Sequence, residues 1–274
     1  MKKVGDKLNE NVDIMPNFTI KSYNDEYFKL VWNLYPGKRE RIQPSRDINN
    51  NKLEVNLSRA RSKIFEYAMC NEWEFMVTYT LNKEKIDRYN LGVNGKAVTK
   101  YWQNRRRSGE DARYLLIPEQ HKDKAWHFHG LMNGLDPEEL ILFTLEDNIP
   151  KKLKDIIRSG RKLYHHRGYD NKFGFNVIER VMNKEAVSKY ITKYISKALV
   201  ADLDREKEKK LYYVSRGLKT SEKLIEGALP TAMLEEATLK GKKFDYVKLL
   251  DMDSQGLYNF MQSYSRYINY NMKT

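Results

Sequence analysis

Two histidines spaced two residues apart, His127 and His129, lie in the run Tyr114-Leu-Leu-Ile-Pro-Glu-Gln-His-Lys-Asp-Lys-Ala-Trp-His-Phe-His-Gly-Leu-Met132. Two short apolar stretches flank the polar cluster Gln120 to Lys124, the pattern of a β-hairpin. Residues i and i+2 of a strand share a face, so both imidazoles project from one side. Imidazoles held that way suit a shared divalent metal ion. Glu119 on the first strand joins them only if the loop holds an odd number of residues. A five-residue loop, His121 to Ala125, sets Glu119 opposite His127, and a slip of one residue turns it to the other face. With five histidines in the chain, about 0.1 His-x-His pairs are expected from composition alone. A metal site therefore outweighs accidental packing.

A second set of chemically useful groups follows on Glu185-Ala-Val-Ser-Lys-Tyr-Ile-Thr-Lys-Tyr-Ile-Ser-Lys-Ala-Leu199, read as part of a helix from Lys184 to about Leu199 capped by Asn183. At i, i+4 spacing it resolves into three stripes. Val187, Ile191, Ile195 and Leu199 are apolar, Tyr190 and Tyr194 are aromatic, and Lys189, Lys193 and Lys197 are cationic. With 19 tyrosines, about one Tyr-x-x-x-Tyr arises by chance, so the pair gains meaning from its company. A phenol, with a pKa of about 10, is a poor nucleophile at neutral pH. A divalent metal polarises a phosphoryl oxygen, and lysine stabilises the phenolate and the transition state. Metal, nucleophile and cations together spell phosphoryl transfer to tyrosine.

Composition narrows the partner. The net charge of +13 favours a polyanion, nucleic acid before an anionic membrane surface. Residues 218–274 hold eight Lys/Arg and seven Asp/Glu, a net of +1, so the basic excess of +12 lies in residues 1–217 with the hairpin. Arg105, Arg106 and Arg107, at the C-terminal end of a helix read from Lys96 to Arg107, are candidate phosphate contacts alongside Lys189 and Lys197. The 41% hydrophobic content supports a folded core. No apolar run reaches the ~20 residues of a membrane span, and no signal-peptide core opens the chain. Cys70 is the single cysteine, which excludes intrachain disulfides and cysteine-built zinc sites and suits a cytoplasmic setting.

The elements that must position these groups alternate. Phe18 to Tyr23 reads as a strand, Tyr35-Pro-Gly37 as a turn, and Arg39, Arg41 and Arg46 as a weak basic patch. Ser58 to Asn71 reads as a helix and Trp73 to Leu81 as a central strand, with Leu91 to Gly95 breaking the pattern. After the hairpin come a short helix from Asp136-Pro137, a basic amphipathic helix over 151–166, a strand over 173–181, the tyrosine helix, and a strand over 211–215. His165 and His166, adjacent in sequence, point apart and read as solvated or capping. The order predicts an α+β fold with an antiparallel central sheet and flanking helices, plus a mostly helical C-terminal segment. The expected division is 1–56 as an N-terminal arm, 57–218 as the catalytic domain and 219–274 as the C-terminal segment.

At these residues the chain resembles the HUH endonuclease superfamily, in particular rolling-circle replication initiators of the bacteriophage gene A-like, two-tyrosine type. The likeness covers roughly residues 60–218. Trp73 to Thr80 resembles the family's first motif, and His127-Phe-His129 the motif that names it. Glu119 stands where several members place a third ligand. Tyr190-Ile-Thr-Lys-Tyr194 resembles the two-tyrosine motif, Lys193 included, and Tyr212 to Leu218 a segment that follows it in phage homologues. The resemblance implies an RRM-like palm and a Mg²⁺- or Mn²⁺-dependent nickase and strand transferase. It would act on single-stranded or hairpin origin DNA in the cytoplasm of a bacterial host, leaving a 5′-phosphotyrosine and a 3′-hydroxyl that primes the host DNA polymerase. The sequence lacks Gly-x-x-x-x-Gly-Lys-Ser/Thr, so unwinding would fall to a host helicase.

Three other readings share some of these features. A conjugative relaxase commonly places its tyrosine before the histidine motif, and a two-tyrosine transposase commonly carries a cysteine-rich zinc module. A non-catalytic origin-binding protein would need neither the histidine pair nor the tyrosines.

Overall fold

The computed structural model describes residues 17–33, 48–195, 210–228, 242–244 and 247–271. The chain divides into two compact units, residues 44–220 and residues 1–43 with 221–274. No helix among the described residues is long and apolar enough to cross a membrane.

The larger unit is an antiparallel sheet of seven strands with helices on both faces. Its strands are β3 (Phe75–Thr80), β4 (Arg113–Gln120), β5 (Trp126–Asn133), β6 (Leu140–Leu142), β7 (Leu163–His166), β8 (Asn176–Arg180) and β9 (Tyr213–Val214), in the order β6-β7-β8-β3-β5-β4-β9. Burial alternates along β3, as a sheet with two differently covered faces requires. One face carries Val77, Tyr79, Tyr114, Leu116, Phe128 and Met132. Against it pack Val98 and Trp102 of α2 (Leu91–Arg107) and Tyr169 of α4 (Arg167–Lys172). The other face carries Leu115, Ile117 and Leu131 under α1 (Ile48–Cys70) and α5 (Lys184–Ile191). Farther along that second face, Leu163 and Val177 lie under Leu153, Ile156 and Ile157 of α3 (Lys151–Arg158).

Several elements differ from their sequence reading. The segment Leu91 to Gly95 opens α2 instead of interrupting it, because the Asn90 side chain accepts the Val93 N–H and supplies the cap. Gly95 is tolerated in a helix because the Tyr213 ring lies against it: a Cβ there would stand 2.1 Å from the Tyr213 hydroxyl. The basic helix ends at Arg158, Gly160 takes a positive φ of 88°, and the chain returns as β7. The Asp136-Pro137 helix is a single 3₁₀ turn that runs into β6. His166 is fully buried and caps α4, its Nδ1 accepting the Tyr169 N–H at 3.2 Å, a capping role the sequence allowed.

The smaller unit joins the two ends of the chain. β1 (Asn17–Ser22) and β2 (Phe28–Asn33) pair with each other. β1 also pairs with β10 (Glu222–Ala228), and β2 with β12 (Val247–Met252), which pairs in turn with β11 (Lys242–Phe244). Phe260 and Tyr264 of α6 (Ser254–Asn271) pack edge-on against Phe18. The C-terminal segment is thus as much strand as helix, a correction to the mostly helical expectation. Its strands find their partners some two hundred residues earlier, beyond the reach of local periodicity. Tyr35-Pro-Gly37, Arg39, Arg41 and Arg46 lie outside the described residues.

Ala at position 95 would ordinarily favour a helix by ~1 kcal/mol. Here Gly95→Ala should instead destabilise the protein by about 1–3 kcal/mol in urea unfolding, because the Tyr213 ring must be displaced. A variant as stable as the parent would refute the close approach.

Candidate active site

The hairpin forms in the register that the loop count demands. Glu119 pairs with His127 and Ile117 with His129, the loop running from His121 to Ala125. On its other side β5 pairs with β3, placing Thr80 opposite His127 and Thr78 opposite His129. Paired residues share a face, so two imidazoles, two hydroxyls and a carboxylate emerge together beside α1 and α5.

Hydrogen bonds fix the rings. Thr80 Oγ1 lies 3.2 Å from His127 Nδ1, and Thr78 Oγ1 lies 3.2 Å from His129 Nδ1. Each threonine occupies the inner ring nitrogen and turns Nε2 outward. Glu119 reaches diagonally to His129, its Oε2 2.8 Å from Nε2. That bond holds the Glu119 carboxyl below the usual carboxylate range, against the opposing effect of burial. His127 is pushed down to about 4, first by burial and then by the neighbouring imidazoles of His121 and His129. The His121 ring stacks on it at 4.7 Å.

The tyrosines stand over this face. α5 ends at Ile191, earlier than the sequence suggested, and tightens into a 3₁₀ turn over Thr192–Tyr194. Ile195 is extended and buried, and its carbonyl accepts from Arg61 of α1 at 2.9 Å. A 3₁₀ turn advances about 120° per residue instead of about 100°, which swings Tyr194 around the axis. Its ring stacks flat on His129, with centroids 3.7 Å apart and planes within 5°. The Tyr194 hydroxyl donates to the Tyr190 hydroxyl at 2.8 Å. Burial first, then this bond, pushes the Tyr194 phenol well above its ordinary range. Tyr190 is 41% exposed, and Lys193 Nζ lies 5.3 Å from its ring centre.

Other sequence candidates are elsewhere. Lys189 is exposed on α5 and pairs with Glu185 at 2.5 Å. Lys197 and Leu199 lie outside the described residues. Arg105, Arg106 and Arg107 end α2, which packs on the opposite face of the sheet, so they do not join the tyrosines. Arg105 pairs with Glu110 at 2.6 Å and Arg106 donates to the Arg216 carbonyl at 2.9 Å. Sequence reasoning missed Thr78, Thr80 and His121. The alternation of Thr78 and Thr80 was legible, but their pairing with β5 was not.

The donor set fits a hard divalent ion in kind, with a carboxylate and two imidazoles whose Nδ1 atoms are already engaged. The 2.8 Å between Glu119 and His129 is close to the ~3 Å edge between adjacent ligands at ~2.1 Å from one ion. Among the described residues, no group of three or more His, Cys, Asp or Glu side chains is gathered tightly enough to hold a metal as it stands. Binding would require the proton between Glu119 and His129 to leave and the His127 ring to turn in.

In the metal-free protein, His127 should titrate near pH 4 by NMR, and His121→Ala should raise that value. Because the folded value lies below the unfolded one of about 6.5, the unfolded chain binds more protons between them. Stability should therefore fall as pH drops from about 6.5 toward 4. A His127 titrating near 6.5 would contradict the burial argument.

Residues 74–199 match the family model of the ORF2-type replication-associated proteins, a span that holds the hairpin, the histidines and both tyrosines. No curated protein and no solved structure matches the chain. The family match supports a replication-initiator role and, with it, DNA as the partner.

Proposed function

We propose that the protein is a metal-dependent, sequence-specific single-stranded DNA endonuclease and strand transferase. It nicks an origin through a 5′-phosphotyrosine, and so initiates and terminates rolling-circle replication. The observation that carries this reading is the flat stack of Tyr194 on His129, which brings a phenol, its hydroxyl-bonded partner Tyr190 and an imidazole–carboxylate pair onto one face. Non-catalytic DNA binding has no use for that assembly.

The chemistry follows from the groups present. A phenol oxygen attacks the scissile phosphorus, the bond to the 3′ oxygen breaks, and the phenol proton ends on the departing 3′-hydroxyl. A divalent ion held by His127, His129 and Glu119 would polarise the scissile phosphate and stabilise its developing negative charge. Thr78 and Thr80 keep the rings oriented with Nε2 toward that position. Lys193 supplies positive charge beside Tyr190. The Tyr194–Tyr190 bond lets one phenol stabilise an oxyanion on the other, and two nucleophiles allow one to cut a regenerated origin while the other stays linked. Host helicase and DNA polymerase would complete the replication cycle.

A labelled single-stranded oligonucleotide containing the origin tests the reading. Tyr190→Phe and Tyr194→Phe should each leave some Mn²⁺- or Mg²⁺-dependent cleavage, and the double change none. His127→Ala or His129→Ala should abolish cleavage, with Glu119→Ala milder. Cleavage by the double tyrosine variant at the parent's rate would overturn the assignment. Thr78→Val and Thr80→Val should weaken Mn²⁺ binding by about 10- to 100-fold in a paramagnetic-resonance titration. Unchanged Mn²⁺ affinity in both would remove the threonines from the site.

A further inference from the structure

The histidine face continues past β3 to a second cluster that the nicking chemistry does not use. The Thr80 N–H donates to the Phe175 carbonyl at 2.9 Å, so Phe175 is the sheet neighbour of Thr80, which is itself bonded to His127. Register puts the Phe175 side chain on the histidine face, two strands from His127 and hence ~10 Å away. Phe175 is 37% exposed despite its size. Beneath it lies Phe143, with ring centres 5.7 Å apart, and His165 stacks on Phe143 at 4.8 Å. Asp170 hydrogen-bonds His165 Nδ1 and holds that ring. The backbone is shaped to present this platform. Gly174 takes a φ of 131°, and a Cβ there would meet Asn82 N at 2.8 Å, so only glycine lets the chain press against β3 before Phe175.

Beside the platform, α3 packs on the same face through Leu153, Ile156 and Ile157, leaving its cations outward. Lys151, Lys152 and Lys162 are exposed and Lys154 is half-buried. Among the described residues, none of the four has a carboxylate within ion-pair distance, whereas Arg158 and Arg161 are paired with Asp155 and Glu179. An exposed aromatic on an aromatic support, flanked by unpaired lysines, matches the two requirements of unpaired nucleic acid: a face to stack a base and charge to follow the backbone.

We infer that Phe175, supported by Phe143 and His165, stacks a base of single-stranded DNA one to two nucleotides from the scissile phosphate, while Lys151, Lys152 and Lys154 track the adjoining backbone. The inference rests on the nickase reading for its substrate, yet its test does not need cleavage. Binding of the full chain to labelled single-stranded oligonucleotide is measured by fluorescence anisotropy in chelator, across a salt series. Phe175→Ala should weaken binding about fivefold or more with the salt slope unchanged, and Phe175→Trp should restore it. The combined Lys151→Ala, Lys152→Ala, Lys154→Ala variant should lower the slope of log affinity against log salt by about 2. Parental affinity and slope in both variants, or equally tight binding of fully paired duplex, would overturn the inference. Failure of the tyrosine adduct with these binding effects intact would strike the nickase reading alone.

Discussion

The site depends on one cross-strand register. Side chains alternate along a strand, so a single residue gained or lost in the His121–Ala125 loop would send Glu119 to the face occupied by Phe128 and Trp126. The register on the other side of β5 is equally binding, because it alone brings Thr78 and Thr80 to the inner nitrogens of the two rings. Buried large side chains on the opposite face, including Trp126, Phe128, Tyr79 and Trp102, hold both registers in place. Each is worth about 1.5–3 kcal/mol of burial that a slipped strand would forfeit. The catalytic face can therefore carry polar groups because the reverse face carries the stabilisation.

Helix α5 answers to the same geometry. A continuous helix through Tyr194 would keep both tyrosines on one straight stripe. The tightened turn and the extended Ile195, tied to Arg61 of α1, instead lay Tyr194 flat on His129. The consequence is an asymmetric pair, with Tyr194 half-covered and donating, and Tyr190 exposed and accepting. The two phenols thus begin from different environments even though they stand four residues apart.

Much of this was legible in the sequence, and the parts that were not share a cause. Loop parity and the His-x-His spacing define the hairpin, since both are local and strand periodicity is strict. The turn at Thr192 was not legible, because Tyr-Ile-Thr-Lys-Tyr-Ile continues a helical pattern and only a contact with a residue far upstream ends it. The same holds for Gly95, which reads as a break until Tyr213 is seen against it. Arg105 to Arg107 looked like part of a DNA surface, yet which face α2 covers is decided by Val98 and Trp102 packing against β3 and β5. The sheet that joins β1 and β2 to β10 and β12 is the extreme case, with partners at opposite ends of the chain.

The central claim is that the paired phenols are the nucleophiles. Incubating the protein with single-stranded origin DNA and Mn²⁺, digesting it, and locating the nucleotide-bearing peptide by mass spectrometry tests this most directly. The account predicts a 5′-phosphate linked to Tyr190 or Tyr194 and to no other residue. Cleaved DNA with the adduct on a different side chain, or with no protein-linked product at all, would contradict it.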